Sequence, residues 1–337
     1  MIDLRSDTVT KPSEEMKSAM ISAEVGDDVY GEDPTVKELE EYAADKVDME
    51  SALFASSGTQ SNLLALMSHC ERGDEYIVGQ TGHTYRYEAG GAAVLGSIQP
   101  QPLDFEPDGS LALDKVAAFI KPDDFHFAKT RLLCLENTQG GKILPLSYLS
   151  EACDFARSTG LSLHLDGARV FNAAIGLGVD VKEICQYFDS ISICLSKGLG
   201  APVGSILCGS KTLIDKARRY RKMLGGGMRQ AGYIAAGGLY ALKNNITRLE
   251  QDHQNAQLLA EELMKLDEIE VVRNQSFTNM VFMRIQNDMI SSMSQYLKDR
   301  GVLITSGDPV RLVTHLDIST QDIHEFIKLV KSFYQQV

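Results

Sequence analysis

Ile191-Ser192-Ile193-Cys194-Leu195-Ser196-Lys197-Gly198-Leu199-Gly200 is the stretch on which the fold of this chain turns. Its first five residues alternate small polar with apolar side chains and carry two β-branched isoleucines, which predicts a buried strand. The glycines that follow predict a loop where backbone can approach a ligand closely. Lys197 stands at the junction. Burial disfavours the charged form of a lysine, and a neutral amine is a nucleophile toward carbonyls.

A second strand end lies 31 residues upstream, where Leu161-Ser162-Leu163-His164-Leu165 runs into Asp166-Gly167-Ala168-Arg169. A lysine and an aspartate at two strand ends suit one cofactor. Pyridoxal phosphate needs a lysine to form an imine with its aldehyde, and a carboxylate that keeps its ring nitrogen protonated. Alone, Lys197 reads equally well as a surface loop residue and Asp166 as a helix cap. Together, each followed by glycine, they point to the cofactor.

Outward from these two segments the chain alternates. Ala52–Ala55, Tyr76–Val78, Leu132–Leu135, Leu161–Leu165, Ile191–Leu195 and Val203–Cys208 read as short strands. Helical stretches are Pro34–Val47 with Asp33 as its cap, Ser61–Cys70, Tyr148–Ser158 and Val181–Tyr187. Such alternation predicts a mostly parallel α/β sheet, whose ligands bind beyond the carboxyl ends of the strands. One long helical region spans Tyr233–Leu266. After it come strands at Ile269–Val272, Met280–Arg284 and Arg311–Thr314, with helices at Met289–Asp299 and Thr320–Tyr334, a small α+β arrangement. The expected organisation is an N-terminal segment (1–15), a large α/β domain (16–240) and a small C-terminal α+β domain (241–337).

The balance of 33 basic against 46 acidic residues, net charge −13, argues against nucleic-acid binding. Six cysteines without a C-x-x-C pair read as buried, reduced thiols of a cytoplasmic protein. No stretch has membrane-spanning length, and no H-E-x-x-H or similar spacing predicts a metal site.

Ser57-Gly58-Thr59 before a helix is a candidate phosphate cradle, weak when taken alone. His83, in a glycine-containing loop after the Tyr76 strand, is placed to stack on a pyridine ring or to move protons. His126, between two phenylalanines, reads as a second active-site histidine or as a packed polar residue, and His164 as structural. His69, His253, His315 and His324 read as having no partners. Arg169 and Arg311 are candidates for gripping a carboxylate bidentately. Lys222 and Arg229 flank Gly225-Gly226-Gly227, a shaped loop near an anion or else a linker.

The chain resembles the low-specificity L-threonine aldolases, of the aspartate aminotransferase-like fold type I of pyridoxal-phosphate enzymes. The resemblance runs nearly end to end. It rests on Leu4-Arg5-Ser6-Asp7-Thr8-Val9-Thr10, Gly26-Asp27-Asp28-Val29-Tyr30-Gly31, Ser57-Gly58-Thr59-Gln60-Ser61-Asn62, Glu136-Asn137-Thr138, the Asp166 and Lys197 segments, and Gly225-Gly226-Gly227-Met228-Arg229-Gln230. It implies that Lys197 holds the internal aldimine, Asp166 the ring nitrogen, and Gly58 and Thr59 the phosphate. His83 would stack on the ring, and Ser6, Arg169 and Arg311 would hold the substrate carboxylate. His83 and His126 would lie near the β-hydroxyl. Arg229, with Lys222, would come from a neighbouring subunit of a homotetramer. The implied reaction cleaves L-threonine and L-allo-threonine to glycine and acetaldehyde through an external aldimine and a quinonoid. Gln139 departs from the histidine that many relatives carry there, which bears on substrate preference. The rival activities are a β-eliminating lyase and an aminotransferase on the same fold, with a non-catalytic binder disfavoured by the presence of Lys197.

Overall fold

The computed structural model describes residues 1–272, 278–285 and 289–336. Twelve strands run in chain order among these: β1 (Ile2–Asp3), β2 (Ser51–Ala55), β3 (Asp74–Gly79), β4 (Gln99–Leu103), β5 (Lys129–Glu136), β6 (Ser162–Asp166), β7 (Ser190–Cys194), β8 (Ser205–Gly209), β9 (Ile269–Val272), β10 (Met280–Ile285), β11 (Val302–Leu303) and β12 (Val310–Val313). Seven of them form one sheet in the order β2-β8-β7-β6-β5-β3-β4. Only β8 runs against the rest, paired antiparallel with both β2 and β7. The sheet is therefore mostly parallel, as its alternating sequence predicts.

The alternation along β7 explains its place. Ile191 and Ile193 enter the main apolar core with Leu135, Leu165 and Val170. Ser192 and Ser190, on the opposite face, meet the helix Gly58–His69: Ser192 Oγ donates to Ser61 Oγ at 2.8 Å, and Ser190 Oγ lies 2.7 Å from His69 Nε2. All five residues of β7 are buried. A polar stripe thus crosses an interior helix–sheet interface, with each hydroxyl bonded.

β4 was not foreseen. Its sequence, Gln99-Pro100-Gln101-Pro102-Leu103, carries two prolines that cannot donate to a ladder, and it lies at the sheet edge. The Tyr233–Leu266 region is two helices, Gly232–Asn244 and Leu249–Leu263. The break falls at Asn245-Ile246-Thr247, poor helix formers, where Asn245 Nδ2 donates to the Leu199 carbonyl at 2.7 Å.

A second core, containing Leu259, Leu312, Ile323 and Phe326, lies beneath the antiparallel sheet β12-β10-β9. The amino terminus joins it: β1 pairs in parallel with β11, and Ile2 and Leu4 are buried in this core. Met1–Thr10 therefore links the C-terminal α+β region to the main sheet. All six cysteines are free and buried. No described helix is long and apolar enough to cross a membrane.

Candidate active site

The parallel strands deliver their carboxyl ends to one edge of the sheet, and chemistry-bearing residues collect there. A cleft of about 170 Å³ is lined by Gly58, Thr59, Asn62, Asp166, Ser196 and Lys197. It adjoins a larger cavity of about 880 Å³ whose walls include Ser6, Glu136, Gln139, Arg169 and Arg311. Lys197 and His83 line both. Among the described residues, the Lys197 ammonium has no hydrogen-bond or ion-pair partner.

The floor of the small cleft is built at the start of the Gly58–His69 helix. Ser57 Oγ accepts from Gln60 N–H at 3.1 Å and caps it. A side chain at Gly58 would place its Cβ 2.7 Å from Cys194 Sγ and 3.6 Å from Ser205 Oγ, so any other residue would have to displace the thiol that lines the cleft. Ser205 Oγ is itself buried without a partner. Asp166 Oδ1 accepts from Ala168 N–H at 3.1 Å and Oδ2 from Asn62 Nδ2 at 2.9 Å. A 3%-exposed carboxylate with only neutral donors suits a cationic ring nitrogen. Hydroxyls and free N–H groups at the helix start suit a phosphate. The residues present thus fit pyridoxal phosphate.

His83 lies beside this cleft. Its Nδ1 is 2.8 Å from Glu88 Oε1, and this bond raises the imidazole pKa. Burial raises Glu88, while its bond to His83 opposes the shift. The His83 amide donates to Glu136 Oε2 at 2.8 Å. Glu136 is the register partner of Asp166 across β5 and β6, and burial together with that charge lifts its carboxyl to about 7. Two carboxyls at adjacent strand ends repel, so one holds its proton more tightly.

The larger cavity carries two guanidiniums. Arg169 Nε and Nη2 donate to Asp7 Oδ2 and Oδ1 at 2.7 and 2.6 Å, leaving its remaining N–H groups for the cavity. Asp7 is fully buried, and although burial works to raise its carboxyl, Arg169 holds it down at about 2. Arg311 Nη2 donates to the Arg5 carbonyl, while its Nε is buried with no acceptor. Burial, and then the like charge of Arg169, lower the Arg311 pKa. Two neighbouring cations with an unused donor form a place for an anion. Ser6 Oγ accepts from Thr8 N–H and lines the same cavity. Gln139 Nε2 reaches Thr81 Oγ1 at 3.4 Å, and both line this cavity.

Three sequence candidates lie elsewhere. His126 sits on an exposed loop, Nδ1 2.6 Å from Asp124 Oδ1 and its ring 3.9 Å from that of Phe125. It lines neither cavity. Arg229 pairs with Asp27 at 2.9 Å, and Lys222 is exposed near the end of the helix Lys211–Met223; neither reaches its own chain's cleft. His69, His253 and His315 do have partners: Ser190, Asn172 and the Asp3 carbonyl. Sequence reasoning assigned no role to Asp7, Asn62, Glu88 or Glu136, although Asp7, Asn62 and Glu136 stand in the motifs that carried the family resemblance.

A lysine and a carboxylate at neighbouring strand ends, over a helix start that cradles an anion, define the fold-type I class of pyridoxal-phosphate enzymes. The chain belongs to the beta-eliminating lyase family, whose model matches residues 3–286. It is 58% identical over 325 residues to the low specificity L-threonine aldolase of Escherichia coli K12, covering 96% of this chain and 97% of that one. It is 43% identical to low-specificity L-threonine aldolase 1 of Arabidopsis thaliana, over 96% and 93% of the two chains. Among solved structures, the threonine aldolase of Leishmania major superposes with a TM-score of 0.84 at 21% identity over 99% of both chains, which shows the shared fold.

Proposed function

We propose that this protein cleaves L-threonine and L-allo-threonine to glycine and acetaldehyde with pyridoxal phosphate as cofactor. The observation that carries this is Lys197, whose side-chain nitrogen has no partner among the described residues and stands at the junction of the small cleft and a cavity with two arginines. When bound, the cofactor supplies a sink for the electron pair left on the substrate α-carbon. Lys197 would hold the cofactor aldehyde, and its amine lies where the substrate amine must also arrive. Asp166 holds the ring nitrogen; Ser57, Gly58 and Thr59 hold the phosphate. Arg169 and Arg311, with Ser6, would hold the substrate carboxylate and so fix the orientation of the amino acid in the cavity. His83, which lines both cavities, would take the β-hydroxyl proton, directly or through a water. The proton that later reaches the α-carbon completes glycine. His126, which lines neither cavity of this chain, is given no part in this reading.

Lys222 and Arg229 belong to the reading in another way. Both are exposed, beside the exposed Met223 and Tyr30. This supports a homotetramer in which a second copy brings these cations to the cofactor phosphate. Buried free thiols support a cytoplasmic setting. Product analysis of L-threonine turnover by NMR tests the reaction. Glycine with acetaldehyde is expected; 2-oxobutyrate with ammonia would assign a β-eliminating lyase, and an oxo acid retaining the hydroxyl an aminotransferase.

A further inference from the structure

A run of buried polar side chains passes beneath the cofactor cleft, and the proposed mechanism uses only its near end. Asn62, 1% exposed, is its node. Nδ2 donates to Asp166 Oδ2 at 2.9 Å and to Glu88 Oε1 at 2.8 Å. Ligand atoms of His83, Glu88 and Asp166 lie within 4.8 Å of one another, so one NH2 group joins two crowded carboxylates. Carboxylates only accept, hence the amide nitrogen faces them and Oδ1 faces away. There it meets His164 Nε2 at 3.3 Å. That ring nitrogen must carry the hydrogen, and Nδ1 accepts from Ser190 Oγ at 2.8 Å. Ser190 Oγ accepts in turn from His69 Nε2 at 2.7 Å. Burial lowers His164 to about 3 and His69 to about 4, so both rings are neutral, as this arrangement requires. The Ser190 carbonyl, 3.1 Å from His164 Nδ1, favours the reversed tautomer. Reversal would remove the donor to Oδ1 and favour an Asn62 turned with its oxygen toward both carboxylates.

We infer that Asn62, its amide orientation set by His164, is a positioning residue that ties the ring-nitrogen carboxylate Asp166 to the Glu88–His83 pair. The inference rests on the roles proposed above for Asp166 and His83, but its geometry stands in the protein without cofactor. The cofactor anchor and the His83–Glu88 pair are thereby joined through one side chain, each carboxylate taking one N–H of the same amide.

Nitrogen-15 NMR of the histidine-labelled apoprotein reads the tautomer directly. His164 protonated on Nε2 is expected; protonation on Nδ1 would overturn the inference whatever reaction the enzyme performs. Asn62→Leu keeps the side-chain shape and removes both donors. Its affinity for pyridoxal phosphate, by equilibrium dialysis, is expected to fall about ten- to a hundredfold, the scale of a hydrogen bond to a charged group. The His83 titration midpoint in the apoprotein is expected to fall as its Glu88 partner loosens, Asp166, Lys197 and Glu136 being the other charges that face it. A merely structural Asn62 would leave that midpoint in place, and unchanged affinity and midpoint in the folded variant would overturn the inference.

Discussion

Replacing Arg169 with methionine removes the partner of a carboxylate that has no contact with water. Asp7 is 0% exposed and accepts two charged hydrogen bonds from Arg169, with a third from Asn279 Nδ2 at 3.1 Å. Its carboxyl stands at about 2 against an ordinary 3.8, which corresponds to about 2 kcal/mol in favour of the charged form. Breaking one side of a buried pair costs about 3–5 kcal/mol, because the remaining charge is stranded. Arg169→Met is therefore expected to destabilise the apoprotein by that amount in urea unfolding at fixed protein concentration. Asp7→Asn alone leaves Arg169 free to turn toward the cavity and should cost less. The double variant strands no charge, so its loss should fall short of the sum of the single losses by at least about 1 kcal/mol. Additive losses would refute the claim that the two side chains act as one unit. Asp7 also binds the first ten residues to both cores, so the same variants should expose the amino terminus to proteolysis.

Three further outcomes follow from the site. Glu136→Gln should flatten a pH dependence in the apoprotein: a carboxyl raised to about 7 contributes stability that is full below its ordinary 4.5 and is lost as pH rises through 7. Wild type should thus lose urea resistance relative to the variant between pH 4.5 and 7, and parallel curves would contradict this. Gly58→Ala, with a Cβ 2.7 Å from Cys194 Sγ, should weaken cofactor binding about tenfold, and adding Cys194→Ala should restore part of it in dialysis. Arg311→Lys, which gives up the bidentate grip and the buried Nε donor, should raise KM for threonine about tenfold or more with a smaller change in cofactor affinity.

How legible the molecule was in its sequence differs by element. β6 and β7 were visible because short apolar runs end in Asp166-Gly167 and Ser196-Lys197-Gly198, and strand ends are where parallel sheets place ligands. β4 was hidden by its prolines, which only an edge position tolerates. Asn62 and Glu88 carried no periodic signal: they are brought together across 26 residues by the packing of one helix against a loop, and Asp166 joins them across 104. Glu136 directly follows the predicted strand Leu132–Leu135, yet its shifted carboxyl depends on Asp166 lying opposite in the register, which the sequence alone does not state. Asp7 reads as a polar residue in a polar segment until Arg169, 162 residues away, closes on it. His126 shows the converse. Between two phenylalanines it reads as an active-site histidine or a packed polar residue, but both Phe125 and Phe127 are exposed with it.

The most direct test of the central claim is acetaldehyde release from L-threonine and L-allo-threonine by the wild-type protein beside Lys197→Ala, both saturated with pyridoxal phosphate. Release from both isomers by wild type, abolished in the variant, is the expected result. Equal release by Lys197→Ala, or none by a wild type that has bound its cofactor, would contradict the account.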